Sequence, residues 1–353
     1  MTSESPMAMT RAVRSSGRRA PEPDLLGVSL SWWRRAALLV ALAAILGAPT
    51  VLQDFSVFQL TQAAIYAIAI LGLNLLTGYN GQFSLGHGAF YAIGAYTAAI
   101  LMDKLGVHYA WTIPAAALVS FVVGFAFGFP ALRLEGLYLA LATFVLAVAA
   151  PQLLKFSALE TYTGGVQGIV LQKPKAPAGL GLSDDQWLYY LTAAVMLVLF
   201  VLAANLVRGR TGRAIVAIRD NPIAASALGI NTPLYKTLTF GVSAAYTGVA
   251  GSLSAIVVGY VAPDSYTFFL SVGLLVGVVV GGLGSIPGAL FGGIFVLYVP
   301  NLAEEFAGVL SKGLSWAAYG IILILIVYLM PSGLAGLIDL LVKRVARHGA
   351  SKG

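Results

Sequence analysis

The chain has no cysteine, which removes disulfides, thiolate nucleophiles, Cys-ligated zinc and iron–sulfur clusters together. Histidine is almost as scarce. His87, His108 and His348 lie far apart and show no ligand spacing such as an i, i+4 pair, so metal chemistry has no foothold. Charge is sparse too: only 10% of the 353 residues are Asp, Glu, Lys or Arg, against roughly 25% in an ordinary soluble domain. A water-soluble fold of this size is thereby excluded. The net charge of +7 does not point to nucleic acid, because Arg and Lys gather at the ends of apolar runs, where they face lipid head groups and orient a membrane protein.

The apolar runs also lack acid, since the 14 carboxylates fall in connecting segments or at run ends. A charge at the bilayer centre costs about 2.5–3.5 kcal/mol on insertion scales, and ion pumps keep one only where it works. Transport driven by a titrating carboxylate is therefore disfavoured. Ser, Thr and Tyr have no His or acid partner that the sequence identifies, so no intramembrane catalytic site is expected.

What the sequence does contain is hydrophobic residue, 59% of the total. Apolar runs recur at 36–52, 57–77, 85–102, 111–131, 137–154, 187–207, 237–261, 268–282, 288–304 and 314–330. At roughly 20 residues per span, they predict an all-α integral membrane protein, a polytopic bundle of about ten transmembrane helices. Runs 85–102 and 268–282 are short and Gly-rich, as in broken or re-entrant helices. With the N-terminus inside, 16 of the 21 Lys and Arg fall on the inner side, and only Lys104, Lys155, Lys173, Lys175 and Lys312 fall outside. The positive-inside rule then places both termini in the cytoplasm and supports an even number of spans.

This pattern divides the chain into a disordered basic leader at 1–35, a transmembrane domain at 36–330 with a polar inner loop at 208–236, and a basic cytoplasmic tail at 331–353. Gly47-Ala48-Pro49 faintly resembles a signal-peptidase site, but the long basic region and the spans that follow favour an uncleaved first span. The outer segment 155–186 has room for a short interfacial helix.

Many of the 40 glycines stand four apart, as in Gly124/Gly128, Gly277/Gly281 and Gly288/Gly292, a spacing that lets helix backbones approach closely. Two stretches depart from this packing pattern. Thr77-Gly78-Tyr79-Asn80-Gly81-Gln82-Phe83-Ser84-Leu85-Gly86-His87-Gly88 and Val280-Gly281-Gly282-Leu283-Gly284-Ser285-Ile286-Pro287-Gly288 both read as helix–break–helix. A break frees amides and carbonyls that lipid cannot satisfy, so it must be buried in protein or line a wet cavity. Asn80, Gln82, Ser84, His87, Gly284 and Ser285 are thus candidates for a substrate path, the alternative being a turn between two spans. Gly88-Ala89-Phe90-Tyr91 and Gly288-Ala289-Leu290-Phe291 correspond and hint at a parallel duplication.

The inner loop contains Asp220-Asn221-Pro222, which can cap and start a helix, then Ile223-Ala224-Ala225-Ser226-Ala227-Leu228, and Gly229 as a left-handed stop. A helix this short does not persist alone in water and needs a surface to pack on.

Ala224-Ala225 followed after three residues by Gly229 is similar to the coupling-loop core of ABC importer permeases. The run Ala217–Asn231, with Gly78–His87, Thr163-Gly164-Gly165 and Gly281–Gly288, resembles in order a LivM-type permease of the branched-chain amino acid ABC transporters, over about 55–335. The resemblance implies a multi-pass inner-membrane subunit that imports hydrophobic amino acids by alternating access and has no catalytic site. It also implies a LivH-like second permease, two cytoplasmic ATPases that hold the ATP and Mg, an external solute-binding protein, and no cofactor on this chain. Arg219 to Asn231 match the coupling segment, so Asp220, Asn221, Pro222, Ala224, Ala225 and Gly229 carry that role, with Arg213 and Arg219 as charged contacts because Ile223 replaces the Glu of the general motif. Related permeases handle urea or short amides, and the residues alone leave open a stand-alone channel or a membrane scaffold.

Overall fold

The computed structural model describes residues 47–134, 136–177, 179, 181–307, 320–325, 328–330 and 333–337. The leader, most of the first apolar run, part of the last run and the end of the tail lie outside the described residues. What is described is helical apart from one two-residue strand pair.

Helix α1 covers Asp54–Asn74 and continues as a π turn, Leu75–Tyr79. After the first break come α2, His87–Leu105, α3, Tyr109–Ala131, and α4, Leu137–Leu154. The outer segment forms a 3₁₀ turn at Ser157–Leu159, a single helical turn α5 at Glu160–Thr163, and strand β1 at Ile169–Val170. Helix α6, Asp184–Arg208, starts with a capping box in which Ser183 Oγ accepts from the Gln186 amide and Gln186 returns a bond to the Ser183 amide. The inner loop folds into α7, Arg210–Asp220, and α8, Pro222–Ala227. Helix α9, Thr232–Val258, leads to strand β2, Tyr260–Val261, then α10, Phe268–Gly281, and α11, Gly288–Ala307, across the second break.

Six helices among the described residues are long and apolar enough to cross a membrane, counting α10 with the 3₁₀ turn before it. Their packing sorts them into an inner and an outer set. The apolar windows of α1 and α9 are 89% and 78% buried, while those of α3, α4 and α6 are 28%, 22% and 11% buried. The contrast in side-chain size is clearest between the hub and the most exposed helix: 14 of the 27 residues of α9 are Gly, Ala, Ser or Thr, against 5 of 25 in α6. Without a water-driven hydrophobic force between helices in lipid, association relies on close van der Waals contact, which small residues permit. Helix α9 is the hub, packing on α1, α2 and α3.

The spaced glycines mark these contacts. A Cβ on Gly94 of α2 would land on the Gly248 backbone of α9, and one on Gly248 would strike Ser120 of α3. Gly277 and Gly281 of α10 meet Gly292 and Gly288 of α11 in the same way. Both Gly88 and Gly288 stand at the start of a helix that follows a break, which suits the correspondence of their tetrapeptides.

Strand β1 pairs antiparallel with β2, Ile169 opposite Val261 and Val170 opposite Tyr260. Lys155 bonds Asp264 at 2.5 Å and Lys173 bonds Asp185 at 2.5 Å. No described Asp, Glu, Lys or Arg is buried, as the charge map anticipates.

Gly248→Val forces a branched side chain into the three-helix contact and is expected to destabilise the protein by about 1–3 kcal/mol or more. Thermal unfolding in detergent micelles measures this; an unchanged midpoint would mean that α9 does not sit as tightly against α2 and α3 as described.

Candidate functional site

The first break begins where α1 widens into the π turn, an irregularity that already loosens the backbone register. Gly81, at φ 73°, takes the chain out of the helix. The freed groups find partners in protein. Thr77 Oγ1 donates to the Gln82 carbonyl at 3.0 Å, Gln82 Nε2 donates to the Lys236 carbonyl at 3.3 Å, the Leu85 amide donates to Thr143 Oγ1 at 2.9 Å, and the Gly88 amide donates to Ser271 Oγ at 2.8 Å. Helices α4, α9 and α10 thereby anchor the segment that joins α1 to α2.

His87 is wholly buried and stitched at both nitrogens. Its Nε2 lies 2.7 Å from Ser243 Oγ, and Ser243 Oγ donates to the Gly72 carbonyl at 2.6 Å. With its only proton committed there, Ser243 must accept from Nε2–H, and Nδ1 must accept from Ser84 Oγ at 2.9 Å. Ser84 and His87 thus fasten α2 to α9 and α1.

The second break is held by a residue the sequence analysis passes over. Asn74, inside the apolar run of α1, accepts from the Gly284 amide at 2.9 Å through Oδ1 and donates to the Ser285 carbonyl at 2.8 Å through Nδ2. One carboxamide satisfies both a donor and an acceptor of the broken backbone. The signal in the sequence was a carboxamide near the end of an apolar run, an expensive residue in lipid unless it bonds across helices.

The inner loop reaches the same place. Helix α7 is amphipathic, burying Ala214, Ile215 and Ile218 at helical spacing. At its end Arg219 donates from Nη1 to the Gly78 carbonyl at 3.0 Å and from Nε to Asp220 Oδ1 at 3.0 Å. Arg219, Gly78, Asn74, Gly284 and Ser285 therefore form one connected set across the loop and both breaks. Arg213 lies apart and exposed, donating only to the Arg208 carbonyl.

Helix α8 has only six residues, yet both ends are closed. Asn221 Oδ1 accepts from the Ile223 and Ala224 amides at 3.1 and 3.0 Å, so Asn221 is the cap, and Asp220 serves Arg219 instead. Gly229, at φ 85°, permits a Schellman ending, in which the Ile230 amide reaches the Ala225 carbonyl and the Gly229 amide reaches the Ser226 carbonyl. Ala225 is turned inward at 2% exposure, while Ile223 and Leu228 stand at 79% and 82%. The outward face is thus Ile223, Ala224 and Leu228, and Ala225 sets the seat of the helix.

Between α8 and the first break lies a cavity of about 180 Å³. Asn80, Gln82, Arg219, Pro222 and Lys236 line it, with Leu134 of the α3–α4 turn and Leu139 of α4. Asn80 and Gln82 are buried candidates for the path and face this space; Ser84 and His87 are not among its lining residues.

Residues 55–330, which include both breaks and the α7–α8 loop, match the family described as branched-chain amino acid transport system / permease component. The chain belongs to this permease family. It is 33% identical to the high-affinity branched-chain amino acid transport system permease protein LivM of Salmonella typhimurium, over 93% of this chain and 81% of that protein. It is 34% identical to LivM of Escherichia coli K12, over 83% of this chain and 72% of that protein. LivH of Escherichia coli K12 is more distant, 28% identical over 78% of this chain and 92% of its own length. The resemblance read from the motifs is thus upheld across most of the permease. No solved structure matches the chain.

Asn74→Leu strands the Gly284 amide and the Ser285 carbonyl, and His87→Ala leaves the Ser84 hydroxyl proton without its acceptor. At 1–3 kcal/mol per orphaned group, the first is expected to cost about 2–6 kcal/mol and the second about 1–3 kcal/mol. Melting midpoints in detergent decide it: if both variants melt like the unmutated protein, the breaks do not depend on these side chains.

Proposed function

We propose that this chain is one permease subunit of an ATP-driven importer of branched-chain, hydrophobic amino acids. It works by alternating access and carries no catalytic site of its own. The observation that carries this reading is α8, a short helix closed at both ends on which Ile223 and Leu228 stand exposed among the described residues. Membership of the permease family supports the solute class.

In this reading the protein is multi-pass in the bacterial inner membrane, with ten spans and both termini cytoplasmic. Residues 1–35 form a basic leader, 36–330 the permease domain, 208–236 the coupling loop and 331–353 a basic tail. A LivH-like permease completes the path, an external binding protein delivers solute on the side of β1 and β2, and two cytoplasmic ATPases hold ATP and Mg. An ATPase grips α8 through Ile223, Ala224 and Leu228. Its movement passes along α7 to Arg219, from Arg219 to the Gly78 carbonyl, and through Asn74 to Gly284 and Ser285. Such transmission needs a contiguous set of bonded groups, which these residues supply. Asn80 and Gln82 border the inner exit, while Arg213 serves as a positive-inside anchor.

Leu228→Glu places a charge in an apolar docking face and is expected to lower leucine uptake at least about tenfold, with the permease still inserted. Gly229→Pro does the same by removing the left-handed ending, since proline cannot adopt positive φ. Arg219→Ala is expected to leave the ATPases bound but to reduce solute moved per ATP. The measurement is ATP-dependent leucine uptake in proteoliposomes holding this chain, its second permease, both ATPases and the binding protein. Uptake of urea or acetamide in place of leucine would replace the solute, and solute conducted by this chain alone would replace the importer with a facilitator.

A further inference from the structure

The corner where α6 meets α7 carries three arginines that no described carboxylate answers. Arg208 ends α6, Arg210 begins α7 and Arg213 follows within its first turn, all three exposed. None of them forms an ion pair among the described residues. Arg213 Nη1 donates to the Arg208 carbonyl at 3.4 Å, which folds its guanidinium back toward the end of α6 and leaves four of its five N–H donors.

This placement is unfavourable for the chain by itself. Arg210 and Arg213 stand three apart, so like charges share one helix face, and they sit in the first turn of α7, where the helix dipole favours anions. That turn contains no Asp or Glu, whereas α6 opens on Asp184 and Asp185. An anion supplied from outside the chain removes both costs at once.

The neighbouring surface says which kind of anion. Helix α6 is the most exposed of the candidate spans, its apolar window only 11% buried. Leu197, Val198, Val201 and Leu202 are 50–57% exposed, and their helical spacing makes one stripe, which Asn205 and Arg208 continue to the end of the helix. Hydrocarbon, then an amide, then a guanidinium is the order in which a phospholipid presents its acyl chain, its glycerol and its phosphate. A free phosphate would use the arginines and leave the stripe bare. A zwitterionic lipid would use the stripe but bring its own cation among three others. Arginine also matches phosphate with two parallel N–H donors.

We infer that the α6–α7 corner binds one anionic phospholipid, its phosphate held by Arg208, Arg210 and Arg213 and an acyl chain lying on the Leu197–Leu202 stripe. A head group held there joins the end of a span to the start of the helix that leads to Arg219, and so steadies the inner loop. The inference rests on the reading above only for the leaflet, which is the cytoplasmic one.

The test uses the full chain purified in a neutral detergent and counts retained lipid by native mass spectrometry. The probes are dioleoylphosphatidylglycerol and dioleoylphosphatidylcholine, which share their acyl chains and differ in head-group charge. One phosphatidylglycerol per chain is expected to bind at concentrations about tenfold below those that phosphatidylcholine needs. Arg213→Gln is expected to weaken phosphatidylglycerol about fivefold, and replacing all three arginines by Gln to remove the preference. Arg133→Gln, which deletes an exposed cation of the α3–α4 turn, should change neither. Equal retention of the two lipids would overturn the inference and leave the arginines to an acidic protein partner. Complete displacement by glycerol 3-phosphate at equal concentration would also overturn it, since the site would then be one for free phosphate. An equal loss in Arg133→Gln would do the same, by making the attraction diffuse. The lipid comparison needs no variant, so a poorly folded variant does not remove the test. It needs no uptake either: a chain that imports leucine without retaining the lipid loses this inference alone, and one that retains the lipid but conducts solute unaided loses only the importer.

Discussion

A backbone that leaves the helix inside packed protein must find partners for every amide and carbonyl it frees, because a buried group left unpaired bears the full cost of its desolvation. The arrangement at both breaks of this chain follows from that constraint. Thr143, Ser271 and Lys236 come from different helices to meet the first break, and Asn74 meets the second with both ends of one carboxamide. Since Arg219 also bonds into the π turn, the same requirement that keeps the breaks in place ties them to the polar loop. Stability of the breaks and seating of the polar loop are therefore not separable properties here: the bonds that satisfy the backbone also hold the loop against it.

The helical class, the positions of the described spans and the two breaks were legible because each rests on a local feature, an apolar run or a cluster of Gly with Asn, Gln, Ser and His. The order of packing was not. A helix that is apolar all round carries no periodic stripe to say which face is buried, and small side chains mark the hub α9 but are no rarer in the exposed α3 than in the buried α1. The inner loop was read as one short helix, and α7 before it was missed, since its buried stripe of Ala214, Ile215 and Ile218 sits among four Arg residues.

Among the candidate site residues the spacing identified the neighbourhood better than the roles. Asp220 and Asn221 were both plausible caps, and only geometry shows that Asn221 takes the task while Asp220 holds Arg219. Ala225 carries the family motif but faces inward, leaving the flanking Ile223 and Leu228 as the outward surface. Small size at Ala225 lets the helix lie down, and hydrophobicity beside it gives the helix something to offer. Asn74 escaped because one carboxamide near the end of an apolar run has no spacing to read; its meaning lies more than 200 positions away, at Gly284 and Ser285.

The chain of bonds through His87 has a property that follows from its two ends. It starts at the Gly86 amide, which can only give a hydrogen to Ser84 Oγ, and finishes at the Gly72 carbonyl, which can only receive one. Every O–H and N–H between them is therefore oriented one way. A Grotthuss wire must be able to reverse after each passage, and this one cannot. The imidazole is a rivet rather than a relay, holding one proton in one orientation between two serines.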